Sequence, residues 1–446
     1  MNKNFLSLTS LFFLFYSFLW CQNTILLINA DSVVGYKINE SSVRDFVGNV
    51  HLRQGRVDLF CNKAIHYIEE NKAILFGSVK IVQDTLVLIS EYIEYDGNKS
   101  IASSNTAIEI KDPQNYLKAK FGSYNFKTRV ANFYEDVYYE EKKSKLTAKN
   151  VDYDRSNQII YAFGKVRLET DSLLLFSDTL VYSKSNNVLN AYSNVYTKGK
   201  YEPLEVFCGK LFFDRKNNFS KSYENPRLIL VDTIKIENDT NAKKLDSLFL
   251  FADTLFSQRD NDGISIKFTN SVRLFKGELT SKGDYGILYR NKGVGFLVGS
   301  PQLWYDSTEF RGDSLFFVFK DNKVSLVEFI RNALILSPSN IDTSYIQKIQ
   351  SDTIKVFFSD NKIDYILGIG NSKTNYFLKN DETGEIQLAN YISESVIISF
   401  VNNEVDNVLW KGNVSGEVIP KIIFEKNIDK YYSYPKDFLK NKPLLY

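Results

Sequence analysis

The chain has 446 residues and a near balance of 55 Lys+Arg against 53 Asp+Glu; with no basic block, it lacks the electrostatic footprint of a nucleic-acid binder, so no nucleic-acid partner is expected. Two histidines and one methionine leave a histidine triad or zinc centre almost without raw material. Aromatics at 15%, with 22 Gly and 8 Pro, are the composition of strands, and the length suits either two or three domains or one repeat array.

Lys3 precedes an apolar run from Phe5 to Trp20. The run is short of the roughly 20 residues that span a bilayer and reads as an export signal covering residues 1–21, cleaved between Cys21 and Gln22. A lipoprotein reading would acylate Cys21, but Trp20 stands where a small residue is expected.

From residue 46 the chain repeats itself every 29 residues. Leu59, Leu88, Leu117, Leu146 and Leu175 form one column, and Val50, Val79, Ile108, Val137, Val166 and Val195 another. A small-residue column (Cys61, Ser90, Ala119, Ala148, Ser177) and a ring column (His66, Tyr95, Tyr124, Tyr153, Tyr182) share the period. Turn signals such as Glu70-Asn71-Lys72 and Asp96-Gly97-Asn98-Lys99 recur in step, so a unit is two strands and a turn. Gly48, Gly77 and Gly164 precede the valine column by two residues and imply a bulge or a close backbone approach; Thr106, Glu135 and Ser193 replace them in units expected to have lost it.

The period loosens after residue 200. Ser177-Asp178-Thr179-Leu180 returns as Ala252-Asp253-Thr254-Leu255, Gly312-Asp313-Ser314-Leu315 and Ser351-Asp352-Thr353-Ile354. Four segments follow: the signal (1–21), regular repeats (22–200), diverged repeats (201–419) and a polar, aromatic tail (420–446). Asp232 to Leu245 reads as an inserted loop.

Within a unit the apolar parity changes, from odd positions 59 and 61 to even positions 64 and 66. Strand side chains alternate with period two, so the strand must bend between residues 61 and 64. Stacked bent hairpins give an all-β, repetitive antiparallel jellyroll, folded over into a V section and elongated, with an apolar interior. The polar column Asn62, Glu91, Lys120, Lys149 and Asp178 is expected to meet water. Cys61 and Cys208 share a strand position five units apart, roughly 25 Å at strand spacing, so both are expected as free, buried thiols.

The recurring G-x-V strand, polar turn and [AS]-D-[TS]-[LI] step leading to a tyrosine resembles the OstA-like (organic solvent tolerance) family. Gly77-Ser78-Val79, Gly164-Lys165-Val166 and Ser177-Asp178-Thr179-Leu180-Val181-Tyr182 carry the resemblance. It is strongest from Phe46 to Val195, weaker to residue 420 and absent in the tail. The family comprises LptA-type periplasmic lipopolysaccharide-transport proteins, related in fold to the N-terminal domain of LptD. The resemblance implies a periplasmic, non-enzymatic conduit, associated with the outer membrane, that carries lipopolysaccharide or a related glycolipid with its acyl chains in the apolar groove. It also implies partners: other jellyroll proteins of a transport bridge, joined through edge strands, and an outer-membrane translocon. Val50, Leu59, Val79, Leu88, Ile108, Leu117, Val137, Leu146, Val166, Leu175 and Val195 are then the candidate lining.

Against that lining stands a closed, self-filled core, which periodicity cannot distinguish from a groove. The ring column suits strand-end packing. The recurrent carboxylates Glu91, Asp178, Asp253, Asp313, Asp352 and Glu394 suit Asx turns at corners better than glycosidase acids or calcium ligands. No catalytic residue, metal site or cofactor is expected. Two further classes remain open at this stage: an outer-membrane β-barrel, and a polysaccharide-binding or polysaccharide-cleaving β-solenoid, which would carry solvent-facing aromatics on one flank.

Overall fold

The computed structural model describes residues 24–445 apart from 232, 237, 238, 246, 322, 402 and 403, so the export signal and Cys21 lie outside the described residues. The chain divides into two units, one ending at Lys200 and one starting at Tyr201.

In the first unit, strands pair antiparallel with their neighbours in sequence. Ser41–Gln54 pairs with Val57–Tyr67, which pairs with Lys72–Gln83, which pairs with Leu86–Asp96. The series resumes from Val130–Glu141 through Ser144–Asp154, Ile159–Glu169 and Leu173–Ser183 to Val188–Gly199. Between them, the strands are split into Ile101–Ser104, Ile108–Lys111, Asn115–Ala119 and Phe121–Asn125.

Each long strand turns a corner, and two devices alternate to make it. On one strand two successive residues take left-handed backbone: Gly48-Asn49, Gly77-Ser78, Glu135-Asp136, Gly164-Lys165 and Ser193-Asn194, with φ from +44° to +77°. At each pair the register slips by one residue, which is a β-bulge and bends the strand. The neighbouring strand has no bulge and switches parity instead: Val57–Tyr67 buries Val57, Leu59 and Cys61, then Ala64 and His66. The corner expected between residues 61 and 64 is therefore there, but its extra residue belongs to the adjacent strand. Two arms result, with apolar residues of both facing the space between them. The small column sits inside the corner, and its exposed neighbours Asn62, Glu91, Lys120, Lys149 and Asp178 sit outside.

Losing the glycine does not remove the bulge, contrary to the sequence expectation, because Glu135 and Ser193 both adopt left-handed φ. At Thr106 the strand is interrupted instead. A left-handed non-glycine residue costs about 1–2 kcal/mol, a penalty that the pairing on both flanks offsets.

The second unit uses the same corner at Glu224-Asn225, Asn270-Ser271, Gly299-Ser300, Arg331-Asn332, Gly370-Asn371 and Gly412-Asn413. Here the recurrent carboxylates act differently from the expected Asx turns. Asn332 Nδ2 donates to Asp313 (3.1 Å) and Asn371 Nδ2 to Asp352 (2.9 Å), and Asn413 makes the same bond to Glu394. In the first unit Asn194 donates to Asp178 at 2.7 Å, and the Ser78 amide to Glu91 at 3.2 Å. Each carboxylate thus ties its own strand to the left-handed pair of a neighbouring strand, the following one for Asp178, Asp313, Asp352 and Glu394 and the preceding one for Glu91.

The expected loop at 232–245 contains two short strands, Thr233–Ile236 and Asp239–Leu245, paired as a separate two-stranded sheet. It leaves and re-enters between Arg227–Leu230 and Leu248–Phe251, which pair directly with each other. The tail forms two short helices, Lys421–Lys426 and Ile428–Tyr431. Phe424 and Tyr432 pack with Leu336, Ile346, Phe377, Leu388 and Ile419. Phe377 lies three residues from Thr374, which bonds Trp410 across the interior, so the helices cover the outer face of an arm. Further along, the Leu439 amide donates to the buried Glu309 at 2.8 Å, and Arg311 meets Asp437 at 3.1 Å.

Cys61 and Cys208 are free and buried, and burial pushes both thiols up to about 11.

Gly77 has φ +73°, and a Cβ there would lie 2.8 Å from Asn62 Nδ2. Gly77→Ala is expected to lower the urea midpoint of the first unit by the equivalent of about 1–3 kcal/mol. Gly35→Ala, where a Cβ would meet nothing within 4 Å, should leave it within about 0.5 kcal/mol.

Candidate functional site

The candidate site is the space between the arms. In the first unit all eleven candidate lining residues face it from one arm, and none is more than 3% exposed. The opposite wall, absent from that set, is built by Phe46, Leu75, Ile93, Phe133, Val151 and Leu180 on the second arm, all fully buried. The two walls meet and fill one another in this state. The apolar ladder looks inward, the reverse of a membrane barrel, whose apolar band faces lipid.

Polar contacts close the free ends of the arms in the first unit. Gln54 Nε2 donates to the Gly97 carbonyl at 2.8 Å, and Gln54 Oε1 accepts from Tyr95 OH at 2.6 Å. Arg155 Nη2 meets Asp112 at 2.7 Å, and Lys184 Nζ meets Glu141 at 3.0 Å and Asn115 at 2.8 Å. In each case the first arm supplies the lower-numbered partner and the second arm the higher. Gln54–Gly97, Asp112–Arg155 and Glu141–Lys184 share one 43-residue offset, about one and a half repeats, because the tip of one arm faces the tip of the other half a unit further on. Burial opposes ionisation of Asp112, but bonds from the Gln114 amide and Asn115, with the Arg155 charge, outweigh it and hold its carboxyl below the usual range. These latches escaped the sequence reading, although opposite charges at that constant offset are the signal that would have found them.

The ring column lies at the same tips, with His66, Tyr95, Tyr124 and Tyr153 buried. It packs and bonds across the arms, as Tyr95 to Gln54 shows. His66 is the exception, since its Nε2 is buried with no hydrogen-bond partner.

In the second unit the tips part. Tyr305 OH donates across to the Asn361 carbonyl at 3.2 Å, and Glu202 meets Arg259 at 2.9 Å and Arg290 at 3.5 Å. A cavity of about 260 Å³ opens at the tips, bordered by Leu230, Lys276, Arg290, Lys292, Phe319 and Asp321. Leu248, Lys276, Leu288 and Phe319 also border a narrower apolar space of about 40 Å³ behind it, walled by Leu250, Phe268, Leu274, Leu303 and Phe317 among others. The second unit therefore has a lateral mouth leading into an apolar slot, a feature the loosened period did not reveal. Among the described residues no group of three His, Cys, Asp or Glu side chains is placed to hold a metal ion.

Lys184 and Glu141 are only 11% and 16% exposed, so breaking the pair should be costly. Lys184→Glu is expected to destabilise the first unit by about 3 kcal/mol and to speed amide exchange at the arm tips, while the swap Glu141→Lys with Lys184→Glu recovers most of the loss. Stability that remains unchanged in the single variant would remove the latch. Burial, reinforced by the Arg44 charge, holds the His66 pKa below its ordinary value near 6.5. The unfolded chain then binds the proton more readily, so this contribution is complete above pH 6.5 and is lost as pH falls through the folded pKa. His66→Phe should flatten that part of the urea-midpoint profile.

The sequence model for OstA-like proteins matches residues 22–119. Among solved structures, LptH of Pseudomonas aeruginosa, described as the LptA-homologous periplasmic component of the lipopolysaccharide transport device, is similar at 15% identity. The similarity covers 32% of this chain and 95% of LptH, with a TM-score of 0.25. No curated protein matches the chain. Residues 22–119, the opening repeats of the array, are thus OstA-like in sequence.

Proposed function

We propose that this protein is an exported, non-enzymatic carrier that holds the acyl chains of lipopolysaccharide or a related glycolipid between its arms on the way to the outer membrane. The observation that carries the reading is the apolar interior that opens sideways into a mouth in the second unit. The OstA-like sequence of residues 22–119 supports the substrate class. The slot of about 40 Å³ has room for a few water molecules and not for an acyl chain. Loading therefore spreads the arms, which bulged, hinge-like corners permit and which tip latches resist.

The edges support assembly with similar proteins. Among the described residues, Leu26–Asn29 and Ser32–Ile38 pair on one side only, with Ser41–Gln54, and they expose Leu26, Ile28, Val33 and Val34. Such an edge is a template for an added strand.

A second reading, a glycan-binding array, draws on an exposed aromatic row. Phe121 and Tyr134 pair directly, and Phe163 and Tyr192 follow on the same outer face two and four strands further on.

The deciding experiment is native mass spectrometry of the mature protein, residues 22–446, purified without detergent from the periplasm of its own host. The carrier reading expects a bound acylated glycolipid. A folded, lipid-free protein that takes up no glycolipid but retains a soluble glycan would overturn it in favour of the second reading.

A further inference from the structure

The outer face of the second unit carries a polar cleft beside the tail that the carrier reading does not use. Four strands pair there in the order Ile346–Ser359, Lys362–Lys379, Ile386–Val401 and Ser415–Pro420. Their register sets two rows across the sheet: Lys348, Asn375, Asn390 and Glu417 in one, and Gln350, Lys373, Ile392 and Ser415 in the next. Residues two apart on a strand share a face, and Lys348 pairs with Leu336, which the tail covers, so both rows look outward. Together they border a cavity of about 440 Å³, within the usual size of small-molecule sites. The tail closes one side of it: Lys348 Nζ donates to the Ser433 carbonyl at 3.2 Å, and Asn390 Nδ2 to the Tyr431 carbonyl at 3.3 Å.

The charges in this cleft are unevenly placed. Lys348 and Lys373 are diagonal neighbours on adjacent strands, an arrangement in which like charges oppose one another. Burial and the Lys373 charge hold the Lys348 pKa below its ordinary value. Ser433 takes one of the three donors of the Lys348 ammonium, and among the described residues no carboxylate pairs with either lysine. Glu417, the carboxylate of the lining, stands two strands beyond Lys373, roughly 10 Å at strand spacing. The amides of Asn375 and Asn390 and the Ser415 hydroxyl lie between these charges, and the Gln350 amide beside the lysines.

We propose that this cleft binds a sugar phosphate, with its phosphate monoester between Lys348 and Lys373 and its ring hydroxyls against Asn390, Ser415 and Glu417. A phosphate monoester carries about two negative charges at neutral pH, which matches two ammonium groups, whereas a carboxylate leaves one of them unmatched. Amides, a hydroxyl and a carboxylate acceptor are the partners that sugar hydroxyls require. One bound phosphate also turns the repulsion between the two lysines into a shared attraction. None of these contacts belongs to the interior between the arms, so the site is independent of the carrier reading, and it lies in the other unit from the exposed aromatic row.

The test titrates residues 22–446, freed of lipid, with glucose 1-phosphate, glucose and inorganic phosphate by isothermal calorimetry. Glucose 1-phosphate is expected to bind at least about tenfold more tightly than either of the other two. Lys373→Gln, at an exposed side chain, should weaken it by about tenfold, while Lys362→Gln, which removes the same charge near the start of that strand, should leave it unchanged. Glu417→Ala should weaken glucose 1-phosphate and leave inorganic phosphate within about twofold. Cosedimentation with phosphatidylcholine vesicles carrying phosphatidylinositol 4-phosphate separates the two sources of such a group. Retention that glucose 1-phosphate competes away and Lys373→Gln abolishes supports the site with a lipid headgroup as its ligand; glucose 1-phosphate binding without retention supports it with a free sugar phosphate. Inorganic phosphate binding as tightly as glucose 1-phosphate, a Lys373→Gln loss no larger than that of Lys362→Gln, or no binding of any probe would each overturn the proposal, and none of these results bears on the carrier reading.

Discussion

The structure depends on one constraint: a strand alternates its faces, so it can bury apolar residues on both sides of a bend only if the alternation is broken at the bend. This chain breaks it in two complementary ways on adjacent strands. One inserts a left-handed pair such as Gly77-Ser78, and the next lets its inward residues slip from Cys61 to Ala64. Because the bulge adds a residue on one side only, the register slips once at the corner and is regular along each arm. The corner is also where charge is spent: Asp178, Asp313 and Asp352 each bind an Asn side chain of the next left-handed pair, so the bend is held from strand to strand.

Everything at the arm tips follows from that bend. Folding each hairpin over brings tips together that are about one and a half repeats apart in sequence, and the residues found there decide whether the space between the arms is shut. In the first unit complementary charges and a glutamine shut it over a self-filled apolar interior. In the second, Tyr305 to Asn361 and Glu202 to the arginines flank a gap that exposes an apolar slot. One architecture therefore offers a closed and an open version of the same interior, and the carrier reading draws on the open one.

The tail illustrates how a strand face that is not part of the interior can still be apolar. Leu336, Phe377 and Leu388 lie on the outer side of their arm and would face water, were they not covered by Phe424 and Tyr432. The tail lies across this face because bonds such as Leu439 to Glu309 draw it back along the arm.

The sequence by itself determined the elements and the corner. A repeat of 29 residues with a parity change is a local signal, read from side-chain alternation along one strand, and it fixed which residues point inward, from Val50 to Val195. Even so, it misjudged the bulge at Glu135 and Ser193, because left-handed backbone is enforced there by pairing on both sides and not by a residue's own preference. Only the tertiary structure decided whether the interior is full or open. That outcome depends on which tips meet across the two arms, Glu141 with Lys184 in the first unit and Tyr305 with Asn361 in the second, and no pattern confined to one strand encodes what lies on the facing arm.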